Sequence, residues 1–209
     1  MNQKIKYWQH KRVWIIGAST GIGAETARLL LRQGASVALS ARRSEPLQAI
    51  AAQHPQTSLV QPLDVTDTTS VQHAWSEILT RWQGIDLVLI IAGGHEAMRA
   101  DSFDLAKTNQ LIDLNLRGPL NCLDAVLPTL LRQNHGAIGI VASVAGYSGL
   151  PKALIYGPTK AALINLCESL YLDLRPRGIG VHLINPGFVD TPLTAKNDFR
   201  MPAMISASE

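Results

Sequence analysis

Ser143, Tyr156 and Lys160 are the residues whose types and spacing could do chemistry together. Tyr156 and Lys160 stand four apart in Tyr156-Gly157-Pro158-Thr159-Lys160, so on a helix they share one face. Ser143 follows the apolar run 137–142. A strand followed by a helix would bring a hydroxyl, a phenol and an ammonium to one sheet edge. A free phenol titrates near about pH 10 and is a poor acid–base group at neutral pH. A neighbouring lysine cation favours the phenolate, and the serine hydroxyl can hold a carbonyl oxygen beside it. This is a proton-transfer site for a carbonyl/alcohol pair, and it needs a hydride carrier.

The elements upstream supply one. The run 13–16 reads as a strand and ends in Gly17-Ala18-Ser19-Thr20-Gly21-Ile22-Gly23, after which residues 24–31 are helical in pattern and stop at Gly34. Residues 36–40 form the next strand. A Gly-x-x-x-Gly-x-Gly turn inside a strand–helix–strand unit lets backbone approach a pyrophosphate, whose charge meets the helix N-terminus. An NAD site usually places an acid about 20 residues after the glycines. This chain has Ser40-Ala41-Arg42-Arg43 there. Arginine suits a 2′-phosphate by charge and by its planar donor fork, so NADP(H) is preferred over NAD(H). The plainer alternative is that Arg42 and Arg43 solvate a strand end, as Lys11-Arg12 would.

Further along, Ser44-Glu45-Pro46 reads as a helix start with Ser44 at the cap, and the helix ends near His54-Pro55. Residues 58–63 read as a strand, and Asp67 caps a helix to Trp82 whose Trp75 and Trp82 pack rather than bind. The run 85–91 has the continuous apolarity of a central parallel strand and ends in Ala92-Gly93-Gly94. His95 and Glu96 read as surface or cleft-rim residues. A helical pattern over 105–132 is interrupted by Asn115 and Gly118-Pro119, a local cost that functional positions tend to show. Residues 180–185 form the last clear strand. Strands alternate with helices throughout. The expected fold is α/β, a Rossmann-like doubly wound parallel sheet flanked by helices, one domain over 1–209 with its core at about 11–191. The glycine turn, Arg42, Asp64, Gly93, Ser143 and Pro186-Gly187 all follow strand ends and should share one cleft.

Bulk properties narrow the classes. The 209 residues carry a net charge of +3, 46% hydrophobic and 17% charged residues. With no run of Lys or Arg, a nucleic-acid partner is not expected. Cys122 and Cys167 lie in helical apolar patterns and read as packing residues, with neither metal nor disulfide spacing. No apolar stretch is long enough for a membrane span, and residues 1–10 lack a signal-peptide core, so a cytoplasmic protein is expected.

With these residues placed, the sequence resembles the short-chain dehydrogenase/reductase family from about Lys11 to Thr191. The resemblance rests on Gly17, Gly21 and Gly23, Asp64-Val65, Ala92-Gly93, Asn115, Ser143, Tyr156 with Lys160, and Pro186-Gly187 with Thr191. It implies that Tyr156 is the general acid/base and that Ser143 orients the substrate carbonyl. Lys160 would bind the nicotinamide ribose and lower the Tyr156 pKa, and Asn115 would hold a water linking Lys160 to solvent. Asp64 and Val65 would flank the adenine, and Val189 and Thr191 would contact the carboxamide. The glycine-turn residues Ser19, Thr20 and Ile22, with Arg43, Ala92, Gly93, Pro186 and Gly187, complete the expected cofactor set. A homodimer or homotetramer is implied, and apolar faces near 116–131 and 163–174 could serve it or be ordinary core. Leu150, Pro151, Ala153, Leu193 and the region after Gly94 would line an apolar substrate pocket.

Two departures stand out. The family often has Asn-Asn-Ala-Gly where this chain has Ile90-Ile91-Ala92-Gly93. Ser206 with Glu209 is a capping box, so a helix is expected to begin where the chain stops, with a C-terminal helix and strand beyond it. Residues 193–205 would form a mobile lid. The leading reading is an NADP(H)-dependent oxidoreductase on a carbonyl or secondary alcohol. The alternatives are a catalytically silent dinucleotide-binding regulator, a nucleotide-sugar epimerase or dehydratase (for which the chain has no substrate domain), and an inactive fragment.

Overall fold

The computed structural model describes residues 2, 5–197 and 200–209. The strands β1 (Arg12–Ile16), β2 (Ser36–Ser40), β3 (Ser58–Val60), β4 (Leu87–Ile90), β5 (Gly136–Val141) and β6 (Ile179–Ile184) form one parallel sheet in the order β3-β2-β1-β4-β5-β6. Strand order reverses between β1 and β4, which opens a crevice at the carboxyl ends of those strands. Helices α1 (Gly21–Arg32), α2 (Ser44–Ala51), α3 (Thr68–Trp82), α4 (Leu105–Ile112), α5 (Gly118–Gln133) and α6 (Tyr156–Leu174) connect them.

Why the strands are apolar on both sides is visible in their alternation. Val13, Ile15, Val37, Leu39, Leu87 and Leu89 face a core completed by Leu30 and Leu31 of α1 and Leu47 and Ile50 of α2. Trp14, Ile16, Ala38, Val88, Ile90 and Ile138 face a second core with Val71 and Ile78 of α3, Val126 and Leu130 of α5, and Leu163 of α6. Trp75 belongs to this second core and stacks on Trp14, with centroids 5.3 Å apart. Cys122 and Cys167 are buried free thiols. Asp67 caps α3 as expected, its carboxylate accepting from Thr69 and Ser70 N–H.

Several expectations need correction. Ser44 is the first helical residue of α2, and Arg43 takes the cap position without a side-chain bond. β3 stops at Val60 rather than 63, although Gln61 and Leu63 N–H still donate to Leu39 O and Ala41 O at 2.9 and 3.1 Å on either side of Pro62. The pattern over 105–132 is not one helix: a π-helical turn, Asp113–Arg117, separates α4 from α5 and carries the buried Asn115. Ser206 ends a short strand β8 (Ile205–Ser206) paired with β7 (Val189–Asp190), and residues 207–208 form a turn. One arm of the capping box is present, Ser206 N–H donating to the Glu209 carboxylate at 2.7 Å. Of the segment 193–205 expected as a lid, residues 198 and 199 lie outside the described residues. No helix among the described residues is long and apolar enough to cross a membrane.

Arg12 is no solvated strand end. Its Nε donates to Asp86 Oδ2 at 3.0 Å, its backbone N–H donates to the same oxygen at 2.9 Å, and its Nη1 donates to Trp82 O at 3.1 Å. Burial pushes the Asp86 carboxyl up, but these bonds and the charges of Arg12 and Lys11 together bring it below its ordinary value. A lowered carboxylate stabilises the fold above its unfolded pKa, and that stability is lost as pH falls through the folded value. Asp86→Asn is therefore expected to cost about 1–2 kcal/mol near neutral pH. The gap between variant and wild type should close in strongly acidic urea melts. A gap that is constant with pH would contradict this.

Candidate active site

The cleft at the carboxyl end of the sheet has a volume of about 600 Å³. Every cofactor residue expected from the sequence lines it, from Gly17 through Arg42, Asp64 and Gly93 to Lys160 and Thr191, except Asn115. Gly17 has φ +103°, and a Cβ there would lie 2.6 Å from Ala92 N. A Cβ on Gly23 would overlap the Gly17 carbonyl oxygen, and one on Gly21 would lie 2.8 Å from Thr191 Cγ2. The turn can therefore close only with glycines. Thr20, at the cap position of α1, makes no side-chain cap bond. The first N–H groups of α1 are thus left for another acceptor.

Arg42 and Arg43 follow β2 at the cleft wall, both exposed and without an ion pair among the described residues. Asp64 turns its carboxylate onto Thr66, accepting from its N–H at 2.9 Å and its hydroxyl at 2.8 Å. Val65 is buried against Gly118, and its carbonyl accepts from Asn121 at 2.9 Å. At Ile90-Ile91-Ala92-Gly93 the chain does without asparagine side chains: Ile16 O accepts from both Ile91 and Ala92 N–H at 2.8 Å, and Ile90 is buried in the core.

Ser143 sits just past β5, and its Oγ accepts from Ala145 N–H at 3.1 Å. Tyr156 opens α6, with its phenol hydrogen-bonded to Ser143. Lys160, one turn on and 4% exposed, donates from Nζ to Val141 O at 3.0 Å and lies 5.7 Å from the Tyr156 ring centroid. Burial raises the Tyr156 pKa above its ordinary value, and the Ser143 bond works against that rise. Burial also brings Lys160 down to about 8. The expected lowering of the phenol by Lys160 is thus not what these side chains produce. The same burial disfavours both charges, and the ammonium is held on a carbonyl rather than on the phenol oxygen.

Asn115 acts as a clamp. Its Oδ1 accepts from Gly94 N–H at 2.8 Å, and its Nδ2 donates to Gly94 O at 2.9 Å and to Thr159 Oγ1 at 3.2 Å. Thr159 in turn donates to Tyr156 O at 2.8 Å, so Asn115 ties the loop after β4 to the start of α6. Both Nδ2 hydrogens are thus taken by protein groups. Of the expected substrate-pocket residues, Leu193 lines the cleft, Leu150 and Pro151 are exposed, and Ala153 is buried in a bridge to Met98. His95, read from the sequence as a surface or cleft-rim residue, is half-buried, with its ring perpendicular to that of Tyr156 and the centroids 5.0 Å apart.

Comparison with known proteins agrees with this geometry. The family model described as short chain dehydrogenase matches residues 11–201. The chain belongs to the short chain dehydrogenase family. An uncharacterised oxidoreductase of Staphylococcus epidermidis is 36% identical over 185 residues, which span 88% of this chain and 80% of that protein. A short-chain dehydrogenase structure from Streptomyces avermitilis superposes with a TM-score of 0.84 at 27% identity, covering 95% of this chain and 70% of that one. A Brucella melitensis protein described as a ribose-5-phosphate isomerase gives a TM-score of 0.89 at 28% identity, covering 97% and 83%. As a short chain dehydrogenase the protein is an oxidoreductase dependent on a nicotinamide cofactor. The cleft fits that group: the glycine turn leaves room that any Cβ would fill, and the uncapped start of α1 offers N–H donors to a pyrophosphate.

Proposed function

We propose that this short chain dehydrogenase uses NADP(H) to interconvert a carbonyl compound and its secondary alcohol, with Tyr156 as general acid/base. The observation that carries the reading is the pairing of two features in one cleft. Ser143, Tyr156 and Lys160 meet on one wall, and another wall ends in Arg42 and Arg43, with no acid in Ser40-Ala41-Arg42-Arg43.

In this reading the nicotinamide supplies or accepts the hydride at the substrate carbon. Tyr156 gives its phenolic proton to the carbonyl oxygen during reduction and takes one from the alcohol during oxidation. Ser143, already hydrogen-bonded to the phenol, orients the substrate oxygen beside it. Lys160 would hold ribose hydroxyls and carry its charge below pH about 8, losing it above. Asn115 fixes the Gly94 backbone and, through Thr159, the first turn of α6. Arg42 and Arg43 would take the 2′-phosphate by charge and hydrogen bonding. Val65 and Asp64 would border the adenine, and Val189 and Thr191 the carboxamide. A cytoplasmic setting, supported by two free buried thiols, belongs to the same reading. So does a homodimer or homotetramer, for which Leu120 of α5 and Leu172 of α6 offer exposed apolar surface.

The test is a fluorescence titration with NADPH and NADH. Wild type should bind NADPH more tightly, and Arg42→Ala should weaken NADPH by about 10–100-fold while changing NADH by less than about twofold. Equal losses for both cofactors, or tighter NADH binding by wild type, would refute the preference.

A further inference from the structure

After β6 the chain turns back on itself beside the cleft, with β7 and β8 paired at the base of the loop. Thr194 opens a turn of 3₁₀ helix there, Thr194–Lys196. Its hydroxyl joins the two residues read as neighbours of the carboxamide: Oγ1 donates to Val189 O at 2.6 Å and accepts from Thr191 N–H at 3.1 Å. Thr194 N–H donates in turn to Thr191 Oγ1 at 3.4 Å, and the two Oγ1 atoms are 3.3 Å apart. Thr191 is fixed from its other side as well. Its Cγ2 lies 2.8 Å from where a Cβ on Gly21 would be, so the methyl group rests against the glycine turn. Both threonines line the cleft.

We propose that Thr194 is a positioning residue for the nicotinamide half of the cofactor, its hydroxyl setting where Val189 and Thr191 stand and leaving Thr191 as the donor to the carboxamide oxygen. This rests on the reading of Val189 and Thr191 as the carboxamide contacts. A threonine hydroxyl has one hydrogen and two acceptor sites. With the Thr194 hydrogen on Val189 O, Thr191 keeps its own for an acceptor in the cleft. Removing the Thr194 oxygen takes one bond from a carbonyl and one from an N–H at once, and frees the Thr191 backbone to turn. The bonds of that hydroxyl all stay within residues 189–194. Arg42, Asp64 and Val65, which would meet the adenylate end, stand on the segments after β2 and β3. The loss should therefore fall on one end of the cofactor and spare the other.

The experiment is calorimetric titration of wild type, Thr194→Val and Thr194→Ser with NADPH and with adenosine 2′,5′-bisphosphate, which carries the adenylate end alone. Valine keeps the shape of threonine without the hydroxyl, and serine keeps the hydroxyl. Thr194→Val should weaken NADPH about tenfold and change the bisphosphate by less than about twofold, while Thr194→Ser should stay within about twofold of wild type for both. Equal losses for both ligands, or a serine variant as weak as the valine one, overturn the proposal. A double-mutant cycle decides it a second way. Thr191→Val and Thr194→Val should cost NADPH affinity less together than the sum of each alone, because one residue acts through the other, and additive losses overturn the proposal. NADH with ADP serves as a parallel pair of ligands. Wild type that prefers NADH removes the NADP(H) preference alone, and Thr194 is then judged on that pair by the same criteria. A nicotinamide cofactor bound no more tightly than its adenylate fragment by wild type overturns the role of Thr194.

Discussion

Replacing Tyr156 with phenylalanine is expected to lower kcat by about 10³-fold while leaving NADPH affinity within about twofold. The substitution keeps the ring that meets His95 and Lys160 and removes only the hydroxyl bonded to Ser143. Packing at the start of α6 should therefore survive. What is lost, in the proposed reaction, is the phenol that exchanges a proton with the substrate oxygen. A loss seen in KM rather than kcat would mean that the phenol binds substrate without transferring the proton. Steady-state kinetics with any turned-over carbonyl separate the two, provided a cofactor titration of the same preparation shows the site intact.

The second large effect is expected at Gly23. An alanine there would drive its methyl group into the carbonyl oxygen of Gly17. Neither partner can step aside: Gly17 N–H donates to Ser40 O at 2.7 Å, and Gly17 itself lies against Ala92. Gly23→Ala should destabilise the fold by about 3 kcal/mol, a fall of about 10 °C in Tm, and abolish cofactor binding. Thermal melts with and without NADPH read both effects. A melt within about 2 °C of wild type that still shifts with NADPH would mean the turn is not the tight joint inferred from it.

The sheet was legible because its signals are local. Continuous apolar runs bounded by turn residues located β1, β2, β4, β5 and β6, and β2 begins and ends where its sequence said. The Tyr156–Lys160 spacing worked for the same reason, since one helical turn sets the geometry. The departures arise where distant residues decide. Asn115 announced itself as a misfit in a helix, but the π-helical turn that aims it at Gly94 depends on tertiary packing. Arg12 became structural only because Asp86, far along the chain, closes on it. His95 meets Tyr156 through two anchors, the Asn115 clamp and the Met98 bridge, neither of which has a local signature. The proton affinities of Tyr156 and Lys160 followed burial depth, which spacing does not encode.

Reduction of a carbonyl with NADPH in this cleft is the central proposal. Its most direct test is to incubate the purified chain with NADPH and a panel of ketones and aldehydes while following the cofactor's fluorescence. The account predicts loss of the signal with at least one carbonyl class, matched mole for mole by alcohol. Saturable NADPH binding with no consumption across the panel would contradict it and point instead to a dinucleotide-binding protein without turnover.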